Sequence, residues 1–128
     1  MPSIADNLAR ARARIDRAAR DADRDPGSIR LVAVSKTKPA SAIREAYLAG
    51  QRDFGENYVQ ELTAKAAELA DLTELRWHVI GHLQRNKVKH VAGVAAMIHT
   101  LDSERLAAEL GKRAAERASP LRVLIEVN

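Results

Sequence analysis

The stretch "LVAVSKTKPAS", Leu31 to Ser41, decides how this chain is read. Leu31 to Val34 is an unbroken apolar run, the mark of a strand buried on both faces of a parallel sheet. Pro39 stands where a helix would begin, because its fixed φ suits the first helical turn. A strand running into a helix is half of a βαβ unit. The turn between them has no glycine, so it lacks the Gly-rich phosphate loop of dinucleotide-binding folds. Two lysines, Lys36 and Lys38, stand there instead.

Working outward, the same alternation repeats. A leading helix is expected over Ser3 to Ala22, with Ile4, Leu8, Ala11, Ile15, Ala18 and Ala22 on one stripe. Ser3 and Asp6 form a capping-box pattern, and "DPGS" (Asp25 to Ser28) breaks the chain. Strands follow at Arg30–Ser35, around Arg52–Phe54, at Leu75–Ile80, at Ala96–Leu101 and from Leu121 onward. Helices lie between them, over Pro39–Ala49, Tyr58–Leu69, Leu83–Val91 and after Ser103. The strand starts are 22, 23, 21 and 25 residues apart. That period means parallel βα units with right-handed crossovers. It leaves two α/β architectures open: a five-stranded doubly wound sheet, or about five of the eight strands of a TIM-type (β/α)8 barrel with an extra N-terminal helix. No helix follows the fifth strand, and the phosphate turn is missing, which favours the barrel.

With 128 residues the chain is long enough for one domain with a core. It has no cysteine, so disulfides and thiolate metal sites are excluded. The N-terminus has no signal-peptide core, and no run approaches the ~18 apolar residues of a membrane span. A soluble, cytoplasmic protein is expected. The net charge of +4 invites a nucleic-acid reading. Seven of the 21 basic residues, however, lie between Arg10 and Arg30 among alanines and aspartates, and few aromatics are available for stacking. Nucleic acid is not expected as a partner.

Chemistry in either architecture sits at the carboxyl ends of the strands. Alternation puts Val32, Val34 and Lys36 on one face, with the amine at the rim. Partial burial there favours the neutral amine, the form able to attack a carbonyl and form a Schiff base. The competing reading is a lysine that simply reaches solvent past the strand end. Asn57, in "FGENYVQE", reaches the same rim as a ligand contact or as a helix cap. His78 falls mid-strand, where a neutral, hydrogen-bonded core histidine is the ordinary reading. The four histidines form no metal-ligand pattern, and no nucleophile-elbow motif occurs.

Three motifs in order, "AVSKTKP" (Ala33 to Pro39), "FGENYVQE" (Phe54 to Glu61) and "WHVIGHLQRNK" (Trp77 to Lys87), resemble the YggS/PROSC family of pyridoxal phosphate homeostasis proteins. "HTLDS" (His99 to Ser103) and the terminal "IEVN" also fit. The resemblance covers nearly the whole chain. It implies a barrel like the N-terminal domain of fold-type III alanine racemases, holding pyridoxal 5′-phosphate (PLP) as a Schiff base. By match of "AVSKTKP" the lysine is Lys36; Asn57 is the first implied cofactor neighbour and His78 the second candidate. The implied role is to carry PLP and buffer its free concentration, with PLP-dependent enzymes as candidate partners, rather than catalysis.

Family members are longer by roughly a hundred residues, on the C-terminal side. That portion is expected to supply the last strands and the loops that grip the PLP phosphate, as barrel phosphate sites generally do. The chain is therefore expected to be a truncated, partial PLP-binding barrel domain that binds the cofactor weakly or not at all. Two alternatives stand beside the carrier reading. One is a racemase-like PLP enzyme, which needs an acid/base on the opposite cofactor face; His78 or His82 could serve, whereas neither Tyr47 nor Tyr58 is suitably placed. The other is a remnant without activity.

Overall fold

A computed structural model describes every residue, 1–128. Strands β1 (Ala33–Val34), β2 (Asp53–Glu56), β3 (Arg76–Val79), β4 (Ala95–Leu101) and β5 (Arg122–Ile125) form one sheet in chain order. All four neighbouring pairs are parallel. This order separates the two architectures. A doubly wound sheet reverses its strand order and puts helices on both faces, whereas sequential strands with right-handed crossovers keep every helix on one face. The fold is the barrel type, with the connecting helices in one layer outside the sheet.

Five α-helices accompany the strands: α1 (Ile4–Asp21), α2 (Ala40–Leu48), α3 (Val59–Glu68), α4 (Val88–Val91) and α5 (Glu104–Ala114). The capping box of α1 forms as expected. The Ser3 hydroxyl accepts from the Asp6 N–H, and the Asp6 carboxylate accepts from the Ser3 N–H, both at 3.0 Å. Ser3 thereby satisfies amide donors that have no partner inside the helix. Ser103 caps α5 by accepting from the Leu106 N–H at 3.1 Å. After α2 the chain turns through Gly50 at φ +104°, a conformation that side chains disfavour. The expected fourth helix divides into a 3₁₀ turn, Arg85–Lys87, and the short α4.

The core lies between sheet and helices. Phe54, Trp77, Val79 and Ile98 from the strands meet Ile43 of α2, Leu62 of α3, Val88 and Val91 of α4, and Leu106 and Leu110 of α5, all buried. On the other face the outcome is divided: β2 is buried on both sides, as the sequence leads one to expect, and so is most of β3, whereas the edge strands are not. Val34 is 53% exposed, Leu124 is 48% exposed, and β5 is exposed throughout. The apolar run at Leu31 to Val34 signals a face to be covered, but the helix layer covers only one. β1 is correspondingly short, pairing through Ala33 and Val34 alone.

Ile98 is fully buried where the sheet meets the helices. Ile98→Ala should lower unfolding free energy by about 2 to 5 kcal/mol, through lost transfer energy and the cavity left behind. Urea denaturation followed by circular dichroism, with an unchanged slope against urea concentration, measures it.

Candidate functional site

The carboxyl ends of β1, β2 and β3 bring Lys36, Asn57 and Gly81–His82 to one rim. Lys36 follows Ser35, whose side chain is buried on the helix side against Glu56. Alternation therefore sends Lys36 out on the side of Val34, the face without helices. Its side chain is exposed. Within residues 1–128 the partial burial expected from the apolar strand is not seen, since β1 ends two residues before Lys36.

Beneath the turn that carries Lys36 lies a polar cluster that the sequence reading missed. Lys65 of α3 is buried and points into the sheet–helix interface. Its Nζ donates to the Ser35 carbonyl at 2.7 Å, to Glu56 Oε1 at 2.6 Å and to Glu61 Oε1 at 3.1 Å. The Ser35 hydroxyl donates to the other Glu56 oxygen at 2.9 Å. The Thr37 N–H donates to Glu61 Oε1 at 2.7 Å. Burial pushes the Glu56 carboxyl up, against the opposing bonds from Lys65 and Ser35. The Thr37 N–H, followed by Lys65, holds Glu61 below the usual carboxylate range. One signal was available: Lys65 sits on the buried stripe of α3, three residues after Leu62 and four before Leu69. A lysine on such a stripe requires a partner.

His78 has a second role on the open face. It is buried, its Nε2 lies 2.8 Å from Asp53 Oδ1, and its Nδ1 lies 2.8 Å from His99 Nε2. Ionised Asp53 can only accept, so His78 donates to it from Nε2, and its Nδ1 shares a hydrogen bond with His99. Arg76 forks onto Asp53 at 2.9 and 2.8 Å. Burial alone would push Asp53 up, but the bonds from Arg76 and His78 hold its carboxyl below the ordinary range. Burial, and then proximity to His78, pushes His99 down. His78 is thus the hydrogen-bonded core histidine that its mid-strand position suggests. Both its ring nitrogens are engaged, which leaves neither free for a cofactor.

Asn57 does not cap α3, whose first turn has no side-chain cap. It lines a cavity of about 460 Å³ on the rim, together with Tyr58, Gln60, His82, Gln84 and Lys87. Gly81 allows this packing: a Cβ there would lie 2.6 Å from the Asn57 carbonyl oxygen. His82 Nδ1 is 3.8 Å from Asp102 Oδ2 at the exposed rim. Tyr47 stays at the opposite end of the sheet, with Arg52 stacked 3.9 Å over its ring. No cluster of residues suited to a metal ion occurs, and no helix is long and apolar enough to cross a membrane.

Parallel strands in chain order, with alternating helices in one outer layer, define the class as part of a (β/α)8-type barrel. The description of the alanine racemase N-terminal domain matches residues 6–128, and the chain belongs to that family. It is 49% identical to the pyridoxal phosphate homeostasis protein of Pseudomonas aeruginosa over 128 residues, covering all of this chain and 55% of the relative. The protein of the same name from Escherichia coli is 50% identical over 130 residues, with 56% of its length covered. Among solved structures, PipY of Synechococcus elongatus with PLP bound matches with a TM-score of 0.77 at 46% identity, over 89% of this chain and 54% of that one. A protein of unknown function from Bifidobacterium adolescentis matches with a TM-score of 0.87 at 38% identity, over 98% and 55%. The chain thus spans about half the length of the curated relatives it matches.

The depressed His99 carries a pH dependence. Between its folded value and the ordinary value of 6.5, the unfolded chain binds more protons than the folded one. Stability should therefore fall as pH drops below about 6.5. Urea midpoints measured from pH 7 to pH 5 should decline, and His99→Asn should flatten the part of that slope nearest neutrality.

Proposed function

We propose that this chain is the lysine-bearing part of a PLP carrier, a barrel portion spanning residues 1–128 that takes the cofactor as a Schiff base on Lys36. The observation that carries this reading is an exposed amine set on a turn whose backbone is fixed from below by Lys65 and Glu61. The family and a PLP-bound structural relative supply the cofactor's identity. Binding is a condensation: the Lys36 nitrogen bonds to the aldehyde carbon, and the carbonyl oxygen leaves as water with the amine's two protons. The residues present suit an aldehyde. Lys36 offers the nucleophile, the face beside Val34 is open to a planar ring, and Asn57 stands at the end of the neighbouring strand.

Asn57 is proposed as a polar neighbour of the bound ring. His78, fully engaged, supports the floor of the face through His99 rather than touching the cofactor. When bound, PLP supplies an electron-withdrawing ring conjugated to the lysine nitrogen. A carrier uses this only to hold the cofactor reversibly: addition of water reverses capture and restores the aldehyde, whereas another amine takes the aldehyde carbon over and frees the Lys36 amine. We propose PLP buffering in the cytoplasm, with PLP-dependent enzymes as recipients.

Borohydride adds hydride to the C=N bond and fixes the adduct for peptide mapping. With excess PLP the label should fall on Lys36, and Lys36→Ala should remove it. Label scattered over surface lysines, or none, overturns the carrier reading.

A further inference from the structure

The turn at the end of β1 presents two amines. In an extended strand Lys36 and Lys38, two residues apart, would leave on the same face. They do not, because Thr37 between them has φ +64°. The left-handed region is costly for a β-branched residue, more so than for asparagine, which often adopts it. The turn closes through the Lys38 N–H donating to the Ser35 carbonyl at 3.1 Å. Lys38 consequently lines a cavity with Ser35, Phe54 and Ile4 on the side of α1 and α2, while Lys36 stands on the open face.

Strain of this kind persists only where surrounding contacts over-determine it. Here they do. Glu61 takes the Thr37 N–H, Lys65 takes the Ser35 carbonyl, and Lys65 also joins Glu61 to Glu56. Both peptide groups flanking Lys36 are thus tied to α3, and the Lys36 side chain is left out of the network. α1 and α2 contribute no charged group to it.

The geometry points to Glu61 and Lys65 as positioning residues that select Lys36 over Lys38 as the amine that captures an aldehyde, by holding Thr37 in its left-handed conformation. This rests on the carrier reading. Neither residue need touch the ligand. Glu61 acts on the peptide after Lys36, and Lys65 acts on the carbonyl before it.

The test uses the whole chain, PLP and, in a parallel arm, pyridoxal as the aldehyde without phosphate. After borohydride reduction, peptide mapping reads the ratio of label on Lys36 to label on Lys38. Glu61→Ala should lower that ratio about fivefold or more, the scale of one lost hydrogen bond. Glu61→Gln, whose amide oxygen still accepts from Thr37, should keep it. Adding Thr37→Asn to Glu61→Ala should restore most of it, since asparagine tolerates the left-handed region. In the ligand-free chain, hydrogen exchange at the Thr37 amide should speed up in Glu61→Ala while thermal melting stays cooperative. Should Glu61→Ala fail to fold, Glu61→Ser, also too short to reach Thr37, replaces it. A ratio unchanged in the short variants while Thr37 exchange rises overturns this inference and leaves the carrier reading intact. Wild-type chain that takes no label on Lys36 overturns both.

Discussion

Strand order is the constraint from which the rest follows. Five parallel strands in sequence order allow only one side for the crossovers, so the helices form a single layer. Every strand then ends at the same rim, and alternate side chains point to two unlike surroundings. On the helix side stand Phe54, Trp77, Val79 and Ile98. On the bare side stand Asp53, Gly55 and His78 with their neighbours, and even the smallest of these is close-packed: a Cβ on Gly55 would come within 3.0 Å of Ile80. The position of Lys36 relative to both faces is a consequence of this partition, set by whether Ser35 or Lys36 falls on the buried phase.

Both polar networks solve the same problem in different ways. Lys65 and Glu56 are charges withdrawn from water, with side-chain exposures of 10% and 0%. Removing ions from water costs several kcal/mol per ion, roughly offset only when every donor and acceptor is used. Here no buried polar side-chain atom lacks a partner. An apolar residue in place of Lys65 could pack as well, but it could not reach a strand carbonyl and two carboxylates at once. The Asp53 network instead pairs its carboxylate with a half-exposed arginine and leads through two histidines across the open face. One network fixes a backbone turn; the other ties two rings to one carboxylate.

Much of the fold was legible because it rests on periodicity. The strand spacing, the α1 capping box, Gly50 after α2 and Ser103 before α5 all follow from short-range chemistry that a single sequence carries. Barrel against doubly wound sheet was not legible in the period itself, since both produce the same βα repeat; the missing phosphate turn, the absent helix after β5 and the motif resemblance pointed to the barrel. At the site, motif matching singled out Lys36, Asn57 and His78. The residues that hold Lys36 were missed because they converge from separate elements: Ser35, Glu56, Glu61 and Lys65 meet only after α3 folds back on β1 and β2. Thr37 gave no warning either, for nothing local predicts a left-handed threonine. The exposure of Lys36 was misjudged for a related reason. An apolar strand reports that it is to be buried, not which of its faces is covered.

Lys36 therefore owes its definition to its backbone rather than to a dry pocket. A left-handed threonine costs roughly 1 to 2 kcal/mol. A hydrogen bond from a charged donor contributes about 1.5 to 3 kcal/mol, and the buried Lys65 supplies one to the Ser35 carbonyl. The two magnitudes are close, so the turn is held with little to spare, and the remaining ties to Glu61 decide its conformation. On the carrier reading proposed above, such a balance suits an amine that captures and releases an aldehyde. The rigid part, α3 with its two strands, stays fixed, while the lysine outside the network remains free to change its covalent partner. Preorganising the peptide rather than the side chain lowers the entropic cost of capture without burying the nitrogen that water must later reach.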